Sequence, residues 1–242
     1  MNAIYIAIFT FFLLYAIWYI FLKKRQSYHV PKKVSSPPFS VQCVVARYNE
    51  NIDWATQLPN LIVYNKGSTI DIPSIPLTNV GREGHTYYHH IVTHYDNLPD
   101  AIVFLQGYPF DHAPDLFRTI HDLFKKPLFP FRLIGNRVLK SDIYDGSSWH
   151  YNFYSYWNKL PDIPKKLPLK IYRRLFKGNP KQALVNYGTG AQFMVSKEAI
   201  LSHPKELYQS IVDMLSKSNS PVEGYIMERF HGLLFSGLGN TK

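Results

Sequence analysis

Three stretches of the chain collect side chains that could do chemistry. The first is Gly81-Arg82-Glu83-Gly84, followed by His85, His89, His90 and His94. An arginine beside the free backbone N–H groups of a helix N-terminus suits a diphosphate or a carboxylate. The alternative is an Arg82–Glu83 pair that serves only as a cap. His85/His89 and His90/His94 are i, i+4 pairs, the spacing at which two imidazoles can meet one metal ion. His85 and His90 nevertheless sit about 140° apart around a helix. No third ligand stands at a diagnostic spacing, so packing and hydrogen bonding explain these histidines better than a zinc site does.

The second stretch is Gln106-Gly107 with Asp111-His112, directly after the apolar run Ala101–Leu105. The third is Glu228-Arg229 with His231, set among apolar residues near the C-terminus. Buried charge is costly unless paired, so Glu228 is either half of a structural ion pair or a working carboxylate. Gly188 and Gly190 open a further strand ending at Val195, and glycines there permit close approach of a ligand or simply a tight turn.

The elements that must position these groups are legible as hydrophobic periodicity. Val41–Ala46 and Ala101–Leu105 read as strands, the second covered on both faces because it is apolar throughout. Leu61–Tyr64 is a shorter strand, with Asn65-Lys66-Gly67 as its turn. Tyr87, Ile91 and Tyr95 recur at helical spacing with Val92 beside them, and Pro99 stops that helix. Asp53 is the expected N-cap of a short helical turn through Gln57, and Ser196 that of a helix from Lys197. Leu116, Ile120, Leu123 and Phe124 form one face of a further helix, as do Ile211 and Leu215 later. A strand emptying into a loop with Gly, Asp and His is where an open α/β sheet places its ligand.

These motifs also carry a resemblance. NVGREGHTYYHHI (79–91), VFLQG (103–107), VVARYNE (44–50), VYNKG (63–67), GAQFMVSKE (190–198) and YIMERFHGLLF (225–235) resemble a family of uncharacterised proteins related to GT-A-type glycosyltransferases. The similarity spans Val41 to Phe235. It implies a GT-A-like, Rossmann-like α/β fold, a mixed sheet flanked by helices, and transfer of a sugar from a nucleotide-sugar to a glycan or lipid acceptor. At the end of the first strand it implies a nucleotide contact for Arg47 and Asn49, against a plain strand-end turn with a structural ion pair. Gln106, Arg82 and Gly190 complete the implied donor contacts. Such transfer needs a base, here Glu228 with Asp111 as the second catalytic carboxylate, and positive charge on the leaving diphosphate. Mn²⁺ or Mg²⁺ held by Asp111, His112 and His231 could supply that charge. The acidic pair such enzymes carry after the central strand is replaced here by Gln106-Gly107 and the later Asp111. Two rivals follow from the same residues: a metal-dependent hydrolase using the histidines of 85–94, and an inactive transferase-like binding protein.

The remaining sequence concerns place. Ala3–Leu22 is uncharged and long enough to span about 30 Å as a helix, one bilayer core. No small-residue cleavage site follows, so residues 1–22 read as a retained anchor, 23–40 as a basic, Pro-containing linker and 41–242 as the α/β domain. Lys23, Lys24 and Arg25 follow the anchor at once, which by the positive-inside rule keeps the domain cytosolic on a single-pass protein. One cysteine, Cys43, excludes an intrachain disulfide. Of the net charge of +10, residues 23–33 carry +5 and 159–181 carry +7, leaving −2 elsewhere. Basicity confined to two patches argues against nucleic acid and for anionic lipid, with 165–177 as a basic amphipathic helix. Ser147–Trp157 sets six aromatic rings among Ser, His and Asn, a composition suited to sugar stacking or to a local aromatic core.

Overall fold

The computed structural model describes residues 34–135, 138–143, 167–178 and 183–236. The expected anchor and the aromatic stretch 147–157 lie outside these residues. Among the described residues no helix is long and apolar enough to cross a membrane.

The strands are β1 (Val41–Arg47), β2 (Leu61–Asn65), β3 (Ile75–Pro76), β4 (Ala101–Gln106), β5 (Phe131–Leu133), β6 (Val138–Ile143), β7 (Ala183–Gly188) and β8 (Phe193–Ser196). Six of them form one sheet in the order β3-β2-β1-β4-β8-β5, while β6 and β7 pair separately. β1 runs parallel to β2 and β4, and β8 runs antiparallel to both β4 and β5. The expected mixed α/β sheet flanked by helices is therefore what the chain forms.

β4 is buried from Ala101 through Leu105, as its unbroken apolar run requires. Period-2 alternation sends Val44, Ala46, Ile102, Phe104, Phe193 and Val195 to one face. There they meet α1 (Arg82–His94), α5 (Lys205–Leu215) and α6 (Val222–Phe235). Tyr87 of α1 stacks on Phe104 at 4.8 Å between ring centroids, and Phe104 lies 5.2 Å from Phe193. Truncating a phenylalanine at such a position costs about 3–5 kcal/mol, so this aromatic contact fixes α1 against the sheet. The alternate residues, Cys43, Val45, Val103 and Leu105, are equally buried on the opposite face. That side holds α2 (Leu116–Phe124), which buries Leu116, Ile120 and Phe124. Trp54, in the 3-10 turn Asp53–Gln57, packs edge-on against Phe110 and holds the loop after β4.

Two local expectations are corrected and one is met. The turn at 53–57 is not capped by Asp53; Asn51 Oδ1 accepts from the Asp53 N–H at 2.8 Å instead. α3 (Leu167–Phe176) has the expected basic face at Lys170, Arg173 and Arg174. Its apolar face is already used, however: Ile171, Tyr172 and Leu175 are buried, and Tyr172 and Phe176 pack on Phe230 of α6. A helix so placed can meet a lipid surface only through its charges, not by embedding. Ser196 does cap α4 (Lys197–Leu201), accepting from the Ala199 N–H at 3.1 Å.

Candidate functional site

The chain lays down β1, β2 and β3 outward in one direction and then returns to place β4 on the other side of β1. The crevice at that reversal, outside the carboxyl ends of β1 and β4, is where such sheets bind ligands. Four loops converge on this edge: 47–50 after β1, 65–68 after β2, 106–112 after β4, and 188–192. The last arrives there because β8 is antiparallel and begins opposite the end of β4, with Phe104 paired to Phe193.

Arg47 braces this edge from within. It is 4% exposed, and its guanidinium donates to the carbonyls of Glu50, Tyr48 and Ser68 and to Asn65 Oδ1 at 2.6–3.0 Å. Asn49 Oδ1 accepts from both the N–H and the hydroxyl of Ser68. Of the two roles open to Arg47 and Asn49, the observed bonds are those of a brace between the first two loops. Gly67 is required there, since a Cβ would lie 1.8 Å from the Tyr48 carbonyl oxygen. Gln106 ends β4 partly buried, and a Cβ on Gly107 would lie 2.5 Å from Glu50 Oε2.

The entry to α1 is strained. Gly81 and Arg82 both take left-handed φ, +62° and +51°, and for arginine this costs of order 1 kcal/mol unless its surroundings impose it. Those surroundings are visible. Lys66 Nζ donates to the carbonyls of Val80 (2.6 Å) and Arg82 (2.5 Å), and the N–H groups of Gly81 and Arg82 bond to Ser218 and Asn219. Burial pushes the Lys66 ammonium down to about 8, with Glu83 opposing. The Arg82 guanidinium lies 4.9 Å over the Tyr225 ring of α6, and its Nε is 3.6 Å from Glu83. That separation makes the Arg82–Glu83 pair loose, which leaves guanidinium hydrogens for an anion.

Glu228 faces this group from α6. Its Oε1 accepts from the Gly190 N–H at 2.9 Å, while Oε2 stands 3.6 Å from Arg229 Nη1, beyond hydrogen-bond range. The side chain keeps 21% of its surface, so it is not sealed in an ion pair. Burial raises its carboxyl above the ordinary range, and the Glu83 charge adds to this. Arg229, the Gly190 N–H and Arg82 oppose it without cancelling it. Gly190 is also the link to the β4 loop: at φ +86° its missing Cβ would lie 2.5 Å from His112 Cδ2. Asp111 is exposed one residue earlier. The early and late halves of the chain thus meet at one edge through His112, Gly190 and Glu228. Gly190→Ala should cost about 1–3 kcal/mol from backbone strain alone and displace the imidazole. A thermal melt and the chemical shift of His112 in the variant would check both.

His231 does not join His112 and Asp111. Its Nδ1 is bonded to the Tyr88 hydroxyl at 2.9 Å, it is 1% exposed, and its ring lies 4.7 Å from Phe193 within the core. The three expected ligands therefore do not fit a divalent ion, and among the described residues no three His, Cys, Asp or Glu side chains form a metal-holding group. The α1 histidines pack in stacked pairs, His85 on His89 and His90 on His94, with Tyr64 Oη 3.1 Å from His90 Nδ1. Lys66 and Tyr225 are the site residues that the sequence reading did not single out. Lys66 stood in plain view as the middle of the turn after β2, but only the fold brings its ammonium under the start of α1.

A family model described as protein of unknown function (DUF3431) matches residues 43–121 and 157–240. No curated protein and no solved structure matches the chain.

Proposed function

From a chain that belongs to the DUF3431 family, whose description assigns no activity, we propose a GT-A-like glycosyltransferase held at a membrane by residues 1–22, moving a sugar from a nucleotide-sugar donor to a glycan or lipid acceptor. The observation that carries this reading is Glu228: a carboxylate with a raised pKa, steadied by one backbone N–H, beside the cationic start of α1. A general base works best when its pKa approaches the working pH, and burial moves Glu228 in that direction. In the proposed step an acceptor hydroxyl attacks the anomeric carbon and its proton passes to Glu228 Oε2. The bond from that carbon to the diphosphate oxygen breaks, and the electron pair leaves with the diphosphate. Arg82, with Lys66 behind it, supplies positive charge where that negative charge develops. Arg47 and Asn49 would then serve the nucleotide side by holding the loops rather than by touching the donor. Asp111, beside His112, would line the acceptor side.

The test is turnover by the full-length protein in mild detergent. Nucleoside diphosphate release from a panel of nucleotide-sugars, with glycan and lipid acceptors, should be lost in Arg82→Ala. Binding without turnover by any donor would leave a donor-binding protein, and no binding would end the proposal. Deleting residues 1–26 should release the protein from membranes. The basic face of α3 would add only a salt-sensitive residue of binding, since each exposed basic side chain near anionic lipid is worth about 1 kcal/mol.

A further inference from the structure

Several buried side-chain atoms of α1 have no protein partner, and one of them, the hydroxyl of Tyr87, lies towards Glu228. α1 joins β3 to β4 within the parallel half of the sheet, so it begins at the carboxyl edge with Tyr87 on its second turn. A long helical side chain leans back towards the N-terminus of its helix. That carries the hydroxyl from the ring contact with Phe104 towards Glu83, four residues earlier on the same face. Tyr87 is wholly buried, and a buried donor without an acceptor is destabilising. Burial, then the charges of Glu83 and Glu228, hold its phenol well above the ordinary range. The hydroxyl is therefore always a donor, felt by two carboxylates yet bonded to neither. A single water molecule spans such a separation.

The three groups suit such a water, which needs two to four polar partners. Tyr87 Oη donates and the two carboxylates accept. Glu228 Oε1 is committed to the Gly190 N–H, while Oε2 stands 3.6 Å from Arg229 Nη1 and lies open to another donor. Glu83 keeps 18% of its side-chain surface, so it touches solvent where Tyr87 does not. We propose that Tyr87 is a positioning residue whose hydroxyl holds one buried water between Glu228 Oε2 and Glu83, and that this water is the outlet for the proton Glu228 takes up. The outlet rests on the transfer reading above; the water link does not. Once the acceptor oxygen has left, the O–H of Glu228 turns to the water oxygen, which already accepts from Tyr87. The water gives one of its own protons to Glu83 as it takes that of Glu228, and Glu83 releases it to solvent. Tyr87 keeps its proton throughout. The charged groups facing the pair are Arg82 from α1, Arg229 from α6 and Lys66 from the turn after β2, and all favour ionised carboxylates.

Glutamate carboxyl ¹³C resonances of the full-length protein in mild detergent, followed from pH 4 to 9, read the link without turnover. Glu228→Gln and Glu83→Gln assign them. Tyr87→Phe keeps the ring on Phe104 and removes one oxygen. It should raise the Glu228 midpoint by about half to one pH unit, the worth of one net hydrogen bond to the ionised form. In wild type a nuclear Overhauser effect should join bound water to the Tyr87 ring protons beside the hydroxyl. An unmoved midpoint, or no such effect in wild type, would overturn the link and leave Tyr87 a core residue. With the link present, Glu83→Gln should raise the solvent deuterium isotope effect on turnover above the wild-type value. An unchanged isotope effect would overturn the outlet alone. Wild type without turnover would end the transfer reading and the outlet with it, while the midpoint still decides the link.

Discussion

Glu228→Gln should lose transfer and gain stability. Removal of a positioned base slows the chemical step by about 10²- to 10⁴-fold, while donor affinity changes little because the amide keeps the volume and still accepts from the Gly190 N–H. Stability moves the other way. The Glu228 carboxyl is raised in the folded chain, so the fold binds its proton more tightly than the unfolded chain does. That contribution is fully present below the unfolded pKa and is lost as pH rises through the folded value. At pH 7 to 8 the ionised form therefore weighs against folding, and the neutral amide removes the weight. The melting temperature of the variant should exceed wild type there by roughly 2–4 °C for each kcal/mol relieved, and the gap should close towards pH 4. Melting curves of both proteins from pH 4 to 8, beside single-turnover rates, check both halves. A variant less stable than wild type at pH 8 would mean that Glu228 is half of a structural pair with Arg229. The base would then have to be sought elsewhere.

Acid should unfold this protein earlier than its carboxylates alone would. Burial holds three imidazoles neutral: His90 and His231 are pushed down to about 3 and His85 to about 4, the last also by Lys66 and His89 and the first by His94 and His89. These folded values lie below the ordinary 6.5, so their contribution is complete above pH 6.5 and drains away as pH falls towards 4. At pH 5 each buried neutral histidine forfeits about 2 kcal/mol, some 6 kcal/mol in all, which is comparable to the whole stability of a typical domain. Protonation of Glu228 works in the opposite sense but is a single group. Loss of tertiary circular dichroism with a midpoint near pH 5 is the expected result. A melting temperature flat between pH 7 and 5 would show that these rings stay neutral at no cost, or that they are hydrated. The hydrogen bonds locate the effect: a charged ring carries a proton on Nδ1, so His90 and His231 must then donate to the hydroxyls of Tyr64 and Tyr88.

The elements of this fold differ in how much of their place is written in the chain. β1, β4 and α1 were legible because burial on one or both faces writes a period into the chain, and Tyr87, Ile91 and the 101–105 run obey it. The edge where the site lies was legible for the same reason, since apolar strands ending in Arg47-Tyr48-Asn49-Glu50 and Gln106-Gly107 point their loops one way. Strand order was not: nothing in Phe193–Ser196 states that it enters between β4 and β5, because a short, buried antiparallel strand has the same pattern wherever it pairs. Arg47 stayed open between two roles because a guanidinium facing four protein acceptors and one facing a phosphate are the same letter in a sequence. His231 was misassigned for a related reason. Its spacing from Glu228 is that of a helix turn, and only packing shows that the two side chains leave α6 in different directions. The apolar stripe of α3 was read correctly as a stripe, but a stripe does not say whether protein or lipid covers it.

The place of β8 also governs how the chain can be made. β4 is a central strand, apolar from Ala101 to Leu105, and its neighbour on one side is not synthesised until about ninety residues later. At roughly 5–20 residues per second a ribosome needs on the order of 5–20 s to cover that interval. Throughout it, the open edge of AIVFL presents unpaired N–H and C=O groups on a strand with no charge to deter another chain. Closing a loop of that length is also entropically slow, so the second half of the sheet is not hurried by its own topology. Until β8 arrives, a nascent chain with such an edge is open to pairing with its neighbours. Yield on expression should depend more on translation speed across residues 107–192 than on the stability of the finished fold.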